Sequence, residues 1–201
     1  MRGSNAVPVG QDEVEAAADV IARAFHDDEL NVHLYPDDRE RSRLAPAMFE
    51  AIVRYDFLFG QVDRLPELAA VATWLRPGDT DETPERLTEA GFDDLPDEVP
   101  LETLAEVFAF VEQAHARAIP EPHWYLRLLG VAPGRQGRGL GGSLLHHGLA
   151  RASDSGHPCF LETFSERNVP FYLHHGFELV VEDVEPVSGL RFWSFLRSPE
   201  R

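Results

Sequence analysis

Apolar positions along this chain follow two rhythms, a period of about 3.6 residues and short apolar runs, and the switches between them mark out the elements. Ala6-Val7-Pro8-Val9 reads as a short first strand. Asp12 is placed to cap a helix in which Val14, Ala17, Ala18, Ile21 and Phe25 share one face. A second helix is predicted from Arg41 to Phe59, with Leu44, Met48, Ile52, Tyr55 and Phe59 on its apolar side. Leu68 to Leu75 is an apolar run ended by Arg76-Pro77-Gly78-Asp79, and Gln61-Val62-Asp63 before it reads as its hairpin partner. Pro77 to Pro100 holds four prolines, many carboxylates and few periodic apolar positions, which predicts a loop or a marginal helix. A helix over Leu101 to Ala118 and a strand over Trp124 to Val131 follow. Leu140, Leu144, Leu145 and Leu149 then fall at helical spacing, and Gly156 and Pro158 stop that helix. Cys159 to Thr163 reads as a strand, and Pro170 and Gly176 bracket a short helix. Val180 to Glu185 and Leu190 to Leu196 form a terminal hairpin.

The junction at residues 131–143 carries the most chemistry. An apolar strand ends in Ala132-Pro133-Gly134-Arg135-Gln136-Gly137-Arg138-Gly139-Leu140-Gly141-Gly142-Ser143, which opens directly into a helix. Glycines at 137, 139, 141 and 142 let consecutive N–H groups converge, and the free amides of the helix start add positive potential, so a phosphate or pyrophosphate is the natural guest. A Walker A loop requires a lysine, and all 18 basic residues are arginine. The dinucleotide fingerprint has a formal match at Gly137, Gly139 and Gly142, with Glu162 at about the spacing of its acidic residue, and stays open as the weaker alternative. The third reading is Gln136-x-x-Gly139-x-Gly141.

That third pattern resembles the Q/R-x-x-G-x-G/A signature of the GNAT acetyltransferase superfamily, and Phe171-Tyr172-x-x-x-Gly176-Phe177 resembles its second signature. Glu121-Pro122-His123-Trp124-Tyr125-Leu126, the glycine loop, Phe160-Leu161-Glu162-Thr163 and Arg167-Asn168-Val169-Pro170-Phe171-Tyr172 together look like the puromycin N-acetyltransferase branch. The similarity is close over residues 121–197 and extends to the earlier part only in element order. It implies one α/β domain over residues 1–201, with acceptor-side elements to about 120 and an acetyl-CoA-binding core over 121–197. The implied fold is a mixed twisted sheet with splayed central strands, flanked by helices. It further implies transfer of an acetyl group from acetyl-CoA to a primary amine of a small molecule, such as an aminonucleoside or another amine antibiotic.

By the same resemblance, the backbone of Leu129, Gly130 and Val131 meets pantetheine amides and the thioester carbonyl. The loop Gln136 to Ser143 holds the pyrophosphate, with Arg135 and Arg138 either pairing with phosphates or lying solvated, and Asn168 reaches toward pantetheine. Asn168 lies four residues before the tyrosine, where the family's asparagine lies seven before and this chain has Ser165. Tyr172 takes the family position of the general acid. Many relatives have a carboxylate on the central strand, where this chain has Tyr125-Leu126-Arg127-Leu128, so Glu162 on the next strand is the first choice of base, weighed against a strand-end carboxylate bonded to Thr163. An alternative function is a non-catalytic acyl-CoA-binding sensor or interaction module.

Composition narrows the partners. A formal net charge of −17 disfavours nucleic acid and anionic membranes and would attract cationic amines, although a GC-rich genome or salty cytosol accounts for the excess better. No apolar run is long enough to span a bilayer, Met1 to Asn5 lacks the core of a signal peptide, and the chain has one cysteine, so a cytoplasmic location is expected. A homodimer stays open. Adjacent histidines at 146–147 and 174–175 point in different directions on a helix and have no completing ligands, so no metal is expected. His26, His33 and His123 are acceptor-pocket candidates, and Cys159 is read as a core residue.

Overall fold

A computed structural model describes residues 5–80 and 82–199. Among them seven strands form one sheet: β1 (Val7–Pro8), β2 (Gln61–Arg64), β3 (Ala70–Leu75), β4 (Trp124–Val131), β5 (Cys159–Thr163), β6 (Glu178–Val184) and β7 (Arg191–Arg197). Their spatial order is β1-β2-β3-β4-β5-β7-β6. Every neighbouring pair is antiparallel except β4 and β5. The helices are α1 (Val14–Ala24), α2 (Glu29–Leu34), α3 (Asp38–Phe59), α4 (Pro84–Ala90), α5 (Leu101–Ala118), α6 (Leu140–Ser155) and α7 (Val169–His174). This is the expected mixed α/β architecture.

Two apolar layers sandwich the sheet, and β3 serves both, because alternate residues of a strand face opposite sides. Val71 joins α1, α3 and Leu128 in one layer. Ala70, Ala72 and Trp74 join α6, β5 and β7 in the other. All six β3 residues are buried, which is why the sequence shows an unbroken apolar run there. The approach of α6 to β3 depends on Gly148: a Cβ at that position would lie 2.1 Å from Cζ2 of Trp74. Gly148→Ala should therefore destabilise the protein by about 1–3 kcal/mol through overpacking. Thermal unfolding checks this, and an unchanged Tm would mean that the helix can shift to make room.

The element boundaries differ from expectation where short polar side chains decide them. Asp12 lies in a 3₁₀ turn, Gln11–Glu13, rather than capping α1. Glu13 takes over the local bonding: its Oε2 accepts from the Gly10 amide at 3.0 Å, and its Oε1 pairs with Arg64 at 2.7 Å, pinning the helix start to β2. The second long helix begins at Asp38, not Arg41, because the Asp37 carboxylate accepts from the amides of Arg39 (2.9 Å) and Glu40 (3.0 Å). Two short helices appear besides, one in a stretch left without an assignment and one in the segment expected as a loop or a marginal helix. Asp28 caps α2 by accepting from Leu30 N at 3.1 Å, and α4 runs from the Thr83 cap to Gly91, whose φ is +89°. The final hairpin starts two residues early, with β6 at Glu178.

Candidate active site

The sheet opens between its two parallel strands. β4 and β5 pair only at Trp124 with Cys159 and Tyr125 with Phe160, although β4 continues to Val131. A bulge reinforces the parting: Thr73 faces Leu128 while Trp74 faces Leu126, leaving Arg127 as the extra residue of β4. The bulge flips the alternation, so Leu126 and Leu128 enter different apolar layers. Beyond it, the edge of β4 turned toward β5 has no strand partner among the described residues, whereas its other edge stays paired with β3 through Val131.

A groove of about 1970 Å³ runs from this opening to the glycine-rich loop. Gly137 and Gly139 adopt φ of +72° and +74°, which side-chain-bearing residues rarely take, and nothing lies within 4 Å of a Cβ built on either. The first bond of α6 runs from Ser143 N to Gly139 O, leaving the amides of the preceding turn free to bind an anion. Gly142 serves packing instead, while a side chain at Gly141 would find only ordinary contacts. A Cβ on Gly141 would meet Val131 at 3.4 Å, and one on Gly142 would lie 2.8 Å from the His175 ring. The Gln136 amide donates to Val131 O at 3.4 Å, tying the loop to the end of β4.

Four titratable side chains meet at the other end of the opening. The Glu162 side chain is 5% exposed, and neither carboxyl oxygen has a hydrogen bond of full geometry. Burial pushes its pKa up to about 8, opposed by the nearby Tyr125 hydroxyl. His115 Nδ1 lies 3.4 Å from Glu162 Oε1, and His115 Nε2 lies 2.7 Å from Nε2 of His123. Burial, with His123 adding to it, holds His115 down at about 4. Tyr125 is held well above the usual phenol range by burial and by Glu162.

Tyr172 closes the groove from α7. Its ring packs on Phe171, Phe195 and Phe177, and burial followed by the nearby Asp28 carboxylate raises its pKa, so it stays a phenol. Asp28 is itself pushed up to about 6 by burial and by Glu29. Arg127 is fully committed: it pairs with buried Asp56 at 3.2 Å and with Glu82 at 2.6 Å, and lies over the Tyr55 ring.

Of the residues singled out from the sequence, Leu129, Gly130, Val131, Gln136, Gly137, Gly139, Leu140, Gly141, Gly142, Glu162, Asn168 and Tyr172 all line the groove. Arg135, Arg138 and Ser143 lie outside that lining. Arg135 pairs with Glu67 at 2.8 Å, and Arg138 donates to Gly134 O at 3.3 Å. Asn168 donates to Thr163 Oγ1 at 3.0 Å, so Thr163 bonds Asn168 and the Ser165 amide and is not the partner of Glu162. Of the candidate histidines, His123 lines the groove and His26 pairs with Asp38 at 2.9 Å. Tyr125, read from the sequence as an aromatic of the acceptor side, lines the groove, whereas sequence reading passed over His115 and Asp28. Helical phase from Val111 could have pointed His115 toward the sheet, but its partner on β5 is a tertiary fact.

Among the described residues no three or more metal-ligating side chains gather into a site, and no helix is long and apolar enough to cross a membrane. The chain is 26% identical over 174 residues to an uncharacterized N-acetyltransferase of Schizosaccharomyces pombe, covering 82% of this chain and 70% of the relative. A solved structure described as histone acetyltransferase HPA2 and related acetyltransferase from Corynebacterium glutamicum superposes with a TM-score of 0.68 at 24% identity, covering 98% of this chain and 97% of the other. The polyamine N-acetyltransferase of Drosophila melanogaster, described as forming N-acetylagmatine, does so with a TM-score of 0.65 at 20% identity, covering 96% and 98%. These likenesses agree on the fold. The acetyltransferase (GNAT) family model matches residues 68–177, from the approach to β3 through the end of the Tyr172 motif, and the chain belongs to that family.

Proposed function

We propose that this protein is an N-acetyltransferase that moves the acetyl group of acetyl-CoA, the cosubstrate its family generally uses, directly to a primary amine of a small molecule, residues 1–201 working as one domain. The observation that carries the reading is the groove itself, which joins a positive-φ glycine loop to a buried, unsatisfied carboxyl and a buried phenol. Acetyl-CoA supplies the acyl group and, on transfer, a thiolate. The chain's part is to hold phosphate on the free amides of the 136–142 loop, to pair its β4 edge at Leu129–Val131 with amides of an extended arm, and to manage two protons. Glu162 takes one from the acceptor ammonium, and Tyr172 gives one to the departing sulfur. The acceptor side is apolar, with Phe25, Phe49, Phe92 and Phe108 along the groove, and this favours an amine on an apolar or aromatic body. The agmatine-acetylating neighbour keeps cationic amines in view, and the likeness of residues 121–197 to the puromycin N-acetyltransferase branch keeps aminonucleosides there.

Thiol release from acetyl-CoA in the presence of agmatine, 2-phenylethylamine, puromycin and a peptide with a free N-terminus tests the proposal. Turnover with at least one is expected. Tight acetyl-CoA binding without turnover for any amine would replace it with an acyl-CoA-binding module. Gly139→Val should weaken acetyl-CoA binding at least tenfold in calorimetric titration, because a β-branched residue is strained at a φ of +74° and its methyls would fill the approach to the free amides. Unchanged affinity in a folded variant would remove the loop from the cosubstrate site.

A further inference from the structure

A carboxyl group buried as deeply as Glu162 has a difficulty as a base, because once it holds a proton it needs somewhere to pass it. Its solvent-facing options are poor: the side chain is nearly closed off, and neither oxygen has a full hydrogen-bond partner. Besides the Tyr125 hydroxyl, its titratable contact is His115, in the last turn of α5, and His115 leads in turn along the groove wall to His123 beside the exposed residues 120–122. The rings are held rigidly. His115 stacks on Phe160 with centroids 4.3 Å apart, and it lies 4.9 Å from the Tyr125 ring and 4.8 Å from the His123 ring. His115 sits in the last turn of α5 and His123 just before β4, joined through Ile119-Pro120-Glu121-Pro122.

Hydrogen-bond bookkeeping then assigns the protons. A carbonyl only accepts, so His123 Nδ1, 2.7 Å from Glu121 O, carries hydrogen. A neutral His123 therefore has a bare Nε2, and the 2.7 Å between the Nε2 atoms requires a proton on His115 Nε2. That leaves His115 Nδ1 bare and facing Glu162. We infer that His115 and His123 form a proton outlet for Glu162, in which Nδ1 of His115 takes the carboxyl proton while Nε2 of His115 passes its own to His123. The inference rests on the reading of Glu162 as the base.

The transfer balances without any other reactant. The acceptor ammonium gives a proton to the Glu162 carboxylate, and the neutral amine keeps its lone pair for attack. The Glu162 O–H bond then breaks as His115 Nδ1–H forms, and His115 Nε2–H breaks as His123 Nε2–H forms. Glu162 is again a carboxylate, and His123 is an imidazolium with Nδ1–H on the Glu121 carbonyl, from which solvent takes the proton past the exposed turn. In this outlet His115 and His123 act through Glu162 and are positioning residues. The groups facing this chain are Tyr125 and Glu162 on the sheet, Arg127 and Glu82 beyond Tyr125, and the Glu121 carboxylate beside His123, which favours its charged form. Burial holds both histidines below the usual imidazole range, so each is neutral when the outlet is at rest. The step from the Glu162 carboxyl to His115 is therefore uphill, the charged pair is transient, and release to solvent pulls it forward.

Two measurements test this. Long-range proton–nitrogen spectra of the intact protein at pH 7 should show His115 as the Nε2–H tautomer and His123 as the Nδ1–H tautomer, both neutral. Any other neutral pair of tautomers overturns the outlet whatever the activity. In the second, His123→Asn keeps an acceptor for His115 and a donor for Glu121 O but does not titrate. With agmatine and 2-phenylethylamine as acceptors, kcat/KM at pH 7 should fall about tenfold or more and recover as pH rises toward the amine's own pKa. A loss equal at every pH, or a change in KM alone, overturns the outlet and leaves a structural histidine. A wild type inactive with every amine overturns the acetyltransferase reading and the outlet's purpose with it, a result distinct from an active enzyme with an unmoved pH profile.

Discussion

Tyr172→Phe should lower kcat about 100-fold or more while leaving acetyl-CoA affinity nearly unchanged. The phenylalanine keeps the ring that packs on Phe171, Phe177 and Phe195, so the fold and groove shape persist. What disappears is a hydroxyl that burial and the Asp28 carboxylate keep protonated. A proton donor used on the departing thiolate acts in the transition state, and its removal appears in kcat rather than in ground-state binding. Steady-state kinetics beside calorimetric titration decide the matter. A steady kcat with weakened binding would make Tyr172 a binding or structural residue.

Glu162→Gln should have the second large effect, and it has a readout that needs no turnover. The rate with a saturating amine should drop about 100-fold near neutrality and recover at high pH, where an amine of pKa ~8 loses its proton to solvent. A role limited to attracting the cation predicts a raised acceptor KM instead. The stability readout follows from burial, which raises the folded pKa to about 8 from an ordinary 4.5. Between those values the unfolded chain has lost the proton and the folded one keeps it, so Glu162 makes stability fall as pH rises through the window. Glutamine does not titrate, and the variant's stability should decline less steeply over the same range in chemical denaturation. Parallel curves would mean that Glu162 is ionised at ordinary cost in the native protein.

Much of this was legible in the sequence because the relevant signals are local. The strands Trp124–Val131 and Cys159–Thr163 and the helix Leu101–Ala118 have the ends read from apolar runs, glycines and prolines. The 136–142 loop was legible because a turn requiring positive φ leaves glycines behind, although only Gly137 and Gly139 of the four take positive φ and Gly142 permits close packing on His175 instead. The acceptor side was harder to read. α2 is six residues long, too short for a period to show, and Asp28 enters the groove only because its capping bond places it there. The β4 bulge broke the alternation at Arg127, so the side each residue faces could not be read by counting. Glu162 was found by its place in the chain, but its desolvation and its line of histidines depend on α5 folding back over β5, a contact between residues 47 positions apart.

The parting of β4 from β5 also shapes the protein without its ligand. The sheet consists of a four-stranded half and a three-stranded half, sewn together by the pairs Trp124–Cys159 and Tyr125–Phe160 and by the Trp124 amide on Pro158 O. Strand edges left open in this way usually template stacking with other chains, and proteins commonly guard them with charge or proline. Here the guard is location, for the open stretch of β4 faces the molecule's own groove, between α1 on one layer and α6 on the other. A slender extended molecule laid along that edge would act as an eighth strand and splice the halves, and the protein should then melt as one unit at a temperature that climbs with the concentration of whatever fills the seam.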